Sequence, residues 1–370
     1  MNTQELLSPA TQKSRPVISF PASQSLQAST LLRTGAISTG LPRLDDAICP
    51  PSVEEDDDVD PRGIPKGHVT EVFGPPGVGK TSLALNVAAN ALLAGGKIVW
   101  LDTGPPLPRI RLREILQKSI QQSESSQTVE ELVKNLVHIR AHSLPHLLAL
   151  LLHTPTNFPP DNCNLLVLDS ASGPFPSYFP NPTELKSRLA QSKTIDKTQV
   201  QWLMNRNSNV TSDLANQLTK LATTHQMAVL AINQTRTRIK GQLRATLCPV
   251  LAGGPWESSV NTRIVLYCDI LATKEGELAT HRYAEVMKRS GRLLAMRLEE
   301  HIVPFAIETD GLRTLDHQSS PRMIALSPNE GLSSTAQRKR KVDEIADSQD
   351  EDDSDAEYGW IDGDAGLLEK

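Results

Sequence analysis

The stretch Gly74-Pro75-Pro76-Gly77-Val78-Gly79-Lys80-Thr81 constrains this chain more than any other feature. It fits Gly-x-x-x-x-Gly-Lys-[Ser/Thr] at every fixed position. The chain enters it from His68–Phe73, which reads as a strand, and leaves it through Ser82–Leu93, an Ala- and Leu-rich helix stopped by Gly95-Gly96. A Gly-rich turn between strand and helix can fold its backbone N–H groups around a phosphate, and the helix N-terminal dipole adds to the attraction. The pattern therefore predicts a nucleotide site. Lys80 reaches the outer phosphates, the Thr81 hydroxyl holds Mg²⁺, and Ser82 closes the phosphate cradle begun by Gly74 to Thr81.

Further strands and helices alternate behind this loop in the manner of a parallel α/β sheet. Lys97–Asp102, Leu165–Asp169 and Met227–Asn233 are near-continuous apolar runs, as buried parallel strands require. Helices are predicted over Arg109 to Lys118, Leu144 to His153 and Val210 to Thr224. Later strands are expected at Arg263 to Cys268, Tyr283 to Met287 and Val303 to Ile307. A magnesium-bound phosphate needs a second ligand system, usually an acid ending a buried strand. Asp169 closes such a run and is the expected metal-orienting residue. Gln234, just past Met227–Asn233, is placed to sense the γ-phosphate. Hydrolysis further needs a carboxylate to position water. The expected place, directly after Asp102-Thr103, holds Gly104-Pro105-Pro106 instead, and the next acid, Glu114, falls on a predicted helix. The segment Thr235 to Val250 carries Arg236, Arg238, Lys240 and Arg244 and reads as a mobile basic loop suited to a nucleic-acid backbone. It lacks the aromatic residues that would stack on bases.

Composition sets the limits. The 370 residues carry a net charge of −5, only 4% aromatics, and more Pro (26) than Gly (21), so part of the chain is expected not to pack. The acid is concentrated in Glu54 to Asp60 and in the C-terminal tail, which leaves the middle of the chain more basic than its average. Residues 1–33 read as a flexible arm, 34–315 as one α/β core with an acidic loop insert at 51–61, and 316–370 as a disordered basic-then-acidic tail. Cys49, Cys163, Cys248 and Cys268 are too scattered for a disulfide framework or zinc site. No uncharged apolar run reaches the ~18 residues needed to span a bilayer, so no membrane partner is expected. Arg338-Lys339-Arg340-Lys341 fits a nuclear import signal, and Ser348-Gln349 a kinase site.

Taken in order, Ile37–Asp45, Gly63–Gly77, Asp102-Thr103, Leu168-Asp169-Ser170, Ile232-Asn233-Gln234, Gly253-Gly254, Thr262-Arg263 and Phe305-Ala306-Ile307 resemble the landmarks of the RecA/RadA-type recombinases. The likeness runs from about Ile37 to Leu312. It implies a RecA-like P-loop NTPase core with a central, mostly parallel sheet, ATP and Mg²⁺ as cofactors, and DNA as a partner. It also places Arg111 on an arginine that lies near the adenine in that family. Three departures matter. Gly104 stands where the family has a catalytic Glu, the helical domain before the core is replaced by about 35 residues, and Phe20-Pro21-Ala22 does not reproduce the polymerisation motif Phe-x-x-Ala. A chain of this kind resembles the eukaryotic recombinase paralogues, its short N-terminus most of all the fungal short-armed mediator subunit. That resemblance implies a nuclear mediator of double-strand break repair, working on single-stranded DNA with a second paralogue and the main strand-exchange recombinase, and hydrolysing ATP weakly. The competing readings are a DNA-stimulated ATPase that exchanges strands itself, and a nucleotide-dependent assembly module without DNA contact.

Overall fold

The computed structural model describes residues 35–50, 62–123, 127–179, 197–238, 246–272, 278–295 and 298–315. Ten strands form one sheet in the order β14-β13-β11-β10-β3-β7-β6-β4-β5, with β12 pairing off β11. These are β3 (Val69–Phe73), β4 (Lys97–Asp102), β5 (Leu136–Arg140), β6 (Cys163–Asp169), β7 (Ala228–Asn233), β10 (Val260–Ala272), β11 (Leu278–Arg289), β12 (Arg292–Leu293), β13 (Ile302–Glu308) and β14 (Gly311–Thr314). From β10 to β5 every pairing is parallel; β11 to β14 add an antiparallel wing.

The inner parallel strands β4, β6 and β7 are buried on both faces, which is why they read as near-continuous apolar runs. Alternate residues divide between two cores: Ile98, Trp100, Leu165, Val167, Leu230 and Ile232 pack on one side, and Val99, Leu101, Leu166, Leu168, Val229 and Ala231 on the other. The first core is filled by helix Lys80–Leu93, which is apolar around most of its circumference because it lies within the protein. It ends where Gly96 N–H donates to Ala91 O (3.0 Å) and Gly95 N–H to Leu92 O (2.9 Å), a Schellman closure. The second core takes Leu214, Ala215, Leu218, Leu221 and Ala222 at helical spacing from helix Lys197–His225.

Ahead of the sheet, β1 (Ala36–Ile37) pairs with β2 (Ile64–Pro65), and helix Pro42–Ile48 lies between them in the chain. Asp45 staples this segment: its carboxylate accepts from Ser38 Oγ (2.6 Å), Thr39 N (2.8 Å) and Thr39 Oγ1 (2.6 Å). Asn86 Nδ2, on the Lys80–Leu93 helix, donates to Thr39 O at 3.0 Å.

Three sequence expectations need correction. The helix expected over Val210 to Thr224 begins at Lys197; Asn205 to Asn209 within it are polar and exposed, so no apolar stripe leads back from Val210. Strand β5 was not anticipated, because at the sheet edge its residues are only half-buried and carry His138 and Arg140. The segment Thr235 to Val250 is not wholly loop: β8 (Thr235–Arg238) and β9 (Thr246–Pro249) pair antiparallel, Arg236 opposite Cys248. Both pieces contain the β-branched residues that favour such a ladder.

Candidate functional site

The registers across the sheet bring the chemistry-bearing residues to its carboxyl edge. Phe73 lies opposite Asn233, Asp169 opposite Ile232, and Asp102 opposite Asp169. Open α/β sheets bind ligands at this edge. The loop Gly74–Gly79 leaves β3 there and passes into the N-terminus of helix Lys80–Leu93. Gly77 (φ 81°) and Gly79 (φ 110°) occupy left-handed conformations that side chains resist, so the loop's curvature depends on these two glycines.

Lys80 Nζ lies within the loop and donates to Gly74 O (2.7 Å) and Pro75 O (2.8 Å). Burial pushes its pKa down, opposed by the charge of Asp169. An ammonium held by two carbonyls at the mouth of a glycine turn can be handed to a phosphate without moving the backbone. Thr81 Oγ1 donates to Asp169 Oδ2 at 2.8 Å, across 88 residues of sequence. Burial raises the Asp169 pKa; the Thr81 hydrogen bond and Lys80 lower it, and the charge of Asp102 adds to the rise. A carboxylate that pays for burial and faces a hydroxyl is a hard oxygen donor pair of the type Mg²⁺ takes, with phosphate and water supplying the remaining ligands. The donor set and the glycine cradle thus fit a magnesium-bound nucleotide. Ser82, in the first turn of the helix, is partly buried beside this pair.

Beyond β4, Thr103 fixes the neighbouring turn. Its N–H donates to Asp169 O (2.9 Å), its hydroxyl to Ser170 O (2.7 Å), and Ser170 N–H donates back to Thr103 Oγ1 (3.0 Å). Gly104 follows, exposed, outside the left-handed region, with nothing within 4 Å of where a Cβ would stand. Glu114 lies exposed on helix Arg109–Ser123 and lines an open cleft of about 690 Å³ together with Pro106, Ile110, Arg111 and Thr309. Arg111 Nη2 donates to Glu308 O (3.0 Å), and its buried Nε has no hydrogen-bond partner among the described residues.

Gln234 is exposed at the end of β7, its N–H donating to Ser172 Oγ at 2.8 Å. Arg236 is exposed on β8, which also contains Arg238. Lys240 and Arg244 lie outside the described residues, as do Arg338 to Lys341 and Ser348. The four cysteines are unpaired, and among the described residues no helix is long and apolar enough to cross a membrane.

Sequence reasoning missed the polar groups beneath the edge. Asp102, 1% exposed, accepts from Trp100 Nε1 (2.6 Å), Leu107 N (2.7 Å) and His138 Nε2, while His138 Nδ1 accepts from Arg109 Nη2 (2.9 Å). The guanidinium can only donate, so Nδ1 is the acceptor and the imidazole's proton sits on Nε2, facing Asp102. These contacts hold the turn that carries Gly104. An acid ending a buried strand was the available signal, and it was legible in Asp102 as much as in Asp169.

Residues 52–254, just over half of the chain, match the Rad51 family. The DNA repair protein rhp55 of Schizosaccharomyces pombe is 26% identical over 323 residues, covering 76% of this chain and 87% of that protein. The DNA repair protein RAD51 homolog 3 of Cricetulus griseus is 25% identical over 304 residues, 76% of this chain and 71% of its own. The DNA repair and recombination protein RadB of Halobacterium salinarum is 28% identical over 197 residues, 53% and 72% of the two chains. With a P-loop at the carboxyl edge of a mostly parallel sheet and this match across its nucleotide-binding half, the chain belongs to the Rad51 family and has its RecA-like fold.

Proposed function

We propose that this chain is an ATP-binding recombinase paralogue that acts in DNA repair by homologous recombination. In this reading it is a nuclear mediator that assembles or stabilises recombinase filaments on single-stranded DNA. The observation that carries the reading is the pairing of a complete nucleotide cradle with a vacant hydrolytic position. Lys80, Thr81 and Asp169 stand ready for phosphate and Mg²⁺, while Gly104 offers no carboxylate where water would be positioned.

Bound Mg²⁺ would supply charge to the outer phosphates. The residues of this chain would then bind and orient: Gly74 to Ser82 would wrap the phosphates, Lys80 would exchange its loop carbonyls for phosphate oxygens, Thr81 and Asp169 would hold the metal, and Arg111 would serve the base. Gln234 couples the γ-phosphate to the basic segment bearing Arg236, Arg238, Lys240 and Arg244, which contacts the DNA backbone. Hydrolysis is weak and DNA-dependent, because orientation and charge remain while the general base is missing. A second paralogue and the main strand-exchange recombinase are the protein partners.

Assembly of a Rad51-family strand-exchange enzyme on single-stranded DNA, followed by fluorescence with and without this chain and MgATP, tests the reading. Faster nucleation or longer-lived filaments, lost in Lys80→Ala, are expected. No effect of the wild-type chain on either would refute the mediator role.

A further inference from the structure

Glu71 is the one fully buried carboxylate on β3, three residues before the phosphate loop, and it touches no part of the site described above. Its partners come from three other elements. Oε1 accepts from Asn233 Nδ2 on β7 (2.6 Å) and from Trp256 Nε1 on helix Gly254–Ser259 (2.9 Å). Oε2 accepts from Arg263 Nε on β10. The registers explain the convergence: Arg263 stands directly opposite Glu71, and Asn233 is its diagonal neighbour on the same face, opposite Phe73. Arg263 continues to Glu257 (2.6 Å), whose backbone carbonyl receives Lys288 Nζ (2.6 Å).

The two ends of the basic hairpin β8–β9 hang from this cluster. Asn233 grips residue 251 on both backbone groups, Nδ2 donating to Leu251 O (2.9 Å) and Oδ1 accepting from Leu251 N (3.2 Å). Val250 N donates to Gln234 O (2.9 Å), closing the hairpin's base one residue above Asn233. Trp256 and Glu257 then hold the returning chain to Glu71 and Arg263. Buried ion clusters of this kind rarely add stability over an apolar core of the same shape, because desolvation offsets the attraction. Their directional hydrogen bonds do fix geometry. Here the geometry fixed is that of the hairpin relative to β3, and β3 is the strand from which the phosphate loop departs.

We infer that Glu71 is a positioning residue that couples the phosphate loop to the basic hairpin, with Asn233, Trp256 and Arg263 as the connecting links. Filling the loop shifts the carboxyl end of β3, and the Glu71 cluster carries that shift to the hairpin base independently of any contact Gln234 makes. The inference rests on the reading that the chain binds ATP and single-stranded DNA. Linkage then requires each ligand to change the other's affinity by the same factor.

The test measures dissociation constants for MgATP with and without an oligo-dT strand, and for fluorescent oligo-dT with and without MgATP, below the melting transition. Wild type should show a coupling factor of about tenfold, within the usual range for linked sites. Glu71→Gln removes the charge and sets an NH₂ against Arg263 Nε, but leaves the phosphate loop intact. It should keep MgATP affinity without DNA within about threefold while the coupling factor falls below about two. Trp256→Phe, which deletes a single donor and keeps the apolar ring, should lower coupling partway in a protein that melts cooperatively; it serves if Glu71→Gln does not fold. Full wild-type coupling in either folded variant would overturn the inference. So would a wild-type chain that binds both ligands with no coupling. A wild-type chain that binds neither ligand would instead defeat the proposed function.

Discussion

Replacing Gly104 by Glu should turn this chain into a faster ATPase. The site accepts the side chain: nothing lies within 4 Å of the new Cβ, and the backbone is outside the left-handed region. Stability should hold or rise, since removing a loop glycine without strain stabilises by about 0.4–1 kcal/mol through the unfolded chain. The neighbouring Thr103 is tied to Asp169 O and Ser170 O, so a carboxylate one residue on is anchored beside Asp169. A well-placed general base is worth roughly 10²–10⁴ in rate, or about 3–5 kcal/mol of barrier. Geometry from a grafted residue is imperfect, so the lower end of that range is the expectation. Single-turnover hydrolysis of labelled ATP with single-stranded DNA, comparing wild type, Gly104→Glu and Gly104→Gln, reads this directly. Glu should exceed both others by about a hundredfold. Equal rates for Glu and Gln, or a wild-type rate already as fast as the Glu variant, would refute the assignment of Gly104.

Burial raises the Asp169 pKa, so the charged form is the disfavoured one in the metal-free protein. Its stabilising contribution is complete below the unfolded carboxylate pKa of about 3.9 and is lost as pH rises through the higher folded value. Asp169→Asn should therefore melt at a higher temperature than wild type in metal-free neutral buffer, the gap closing on acidification; calorimetry across pH checks it. With Asp169 as the proposed Mg²⁺ ligand the preference reverses on metal binding, and wild-type MgATP affinity should weaken as pH falls through the same window, whereas Asp169→Asn should bind weakly at every pH. Lys80→Ala should abolish measurable ATP binding by equilibrium dialysis while leaving the melting temperature near wild type, because Lys80 contacts only loop carbonyls. Replacing Arg236, Arg238, Lys240 and Arg244 together by Ala should weaken single-stranded DNA binding and flatten its salt dependence by about 0.7 log units per lost phosphate contact. An unchanged slope would favour an assembly role without DNA.

The parts of the molecule written in local pattern were legible. The phosphate loop announces itself by spacing, and strands such as Lys97–Asp102 by double-sided burial. What stayed hidden depends on partners distant in sequence. Strand β5 is half-exposed at an edge, where apolar content is no guide. In helix Lys197–His225, the polar and exposed run Asn205 to Asn209 breaks the apolar pattern that begins at Val210. Glu71 is a lone acid in an apolar run, and its meaning lies in Asn233 and Arg263, 162 and 192 residues away. Gly104 shows the converse. Its significance came from a missing carboxylate, and the structure adds the open space that makes restoring one feasible.

In the proposed function, nucleotide acts by being held. Lifetimes of the chain on single-stranded DNA, measured with no nucleotide, with MgATP and with a non-hydrolysable ATP analogue, test it most directly. Lifetimes should be short without nucleotide and equally long with ATP and the analogue. Long lifetimes only where hydrolysis proceeds, or lifetimes indifferent to nucleotide, would contradict it.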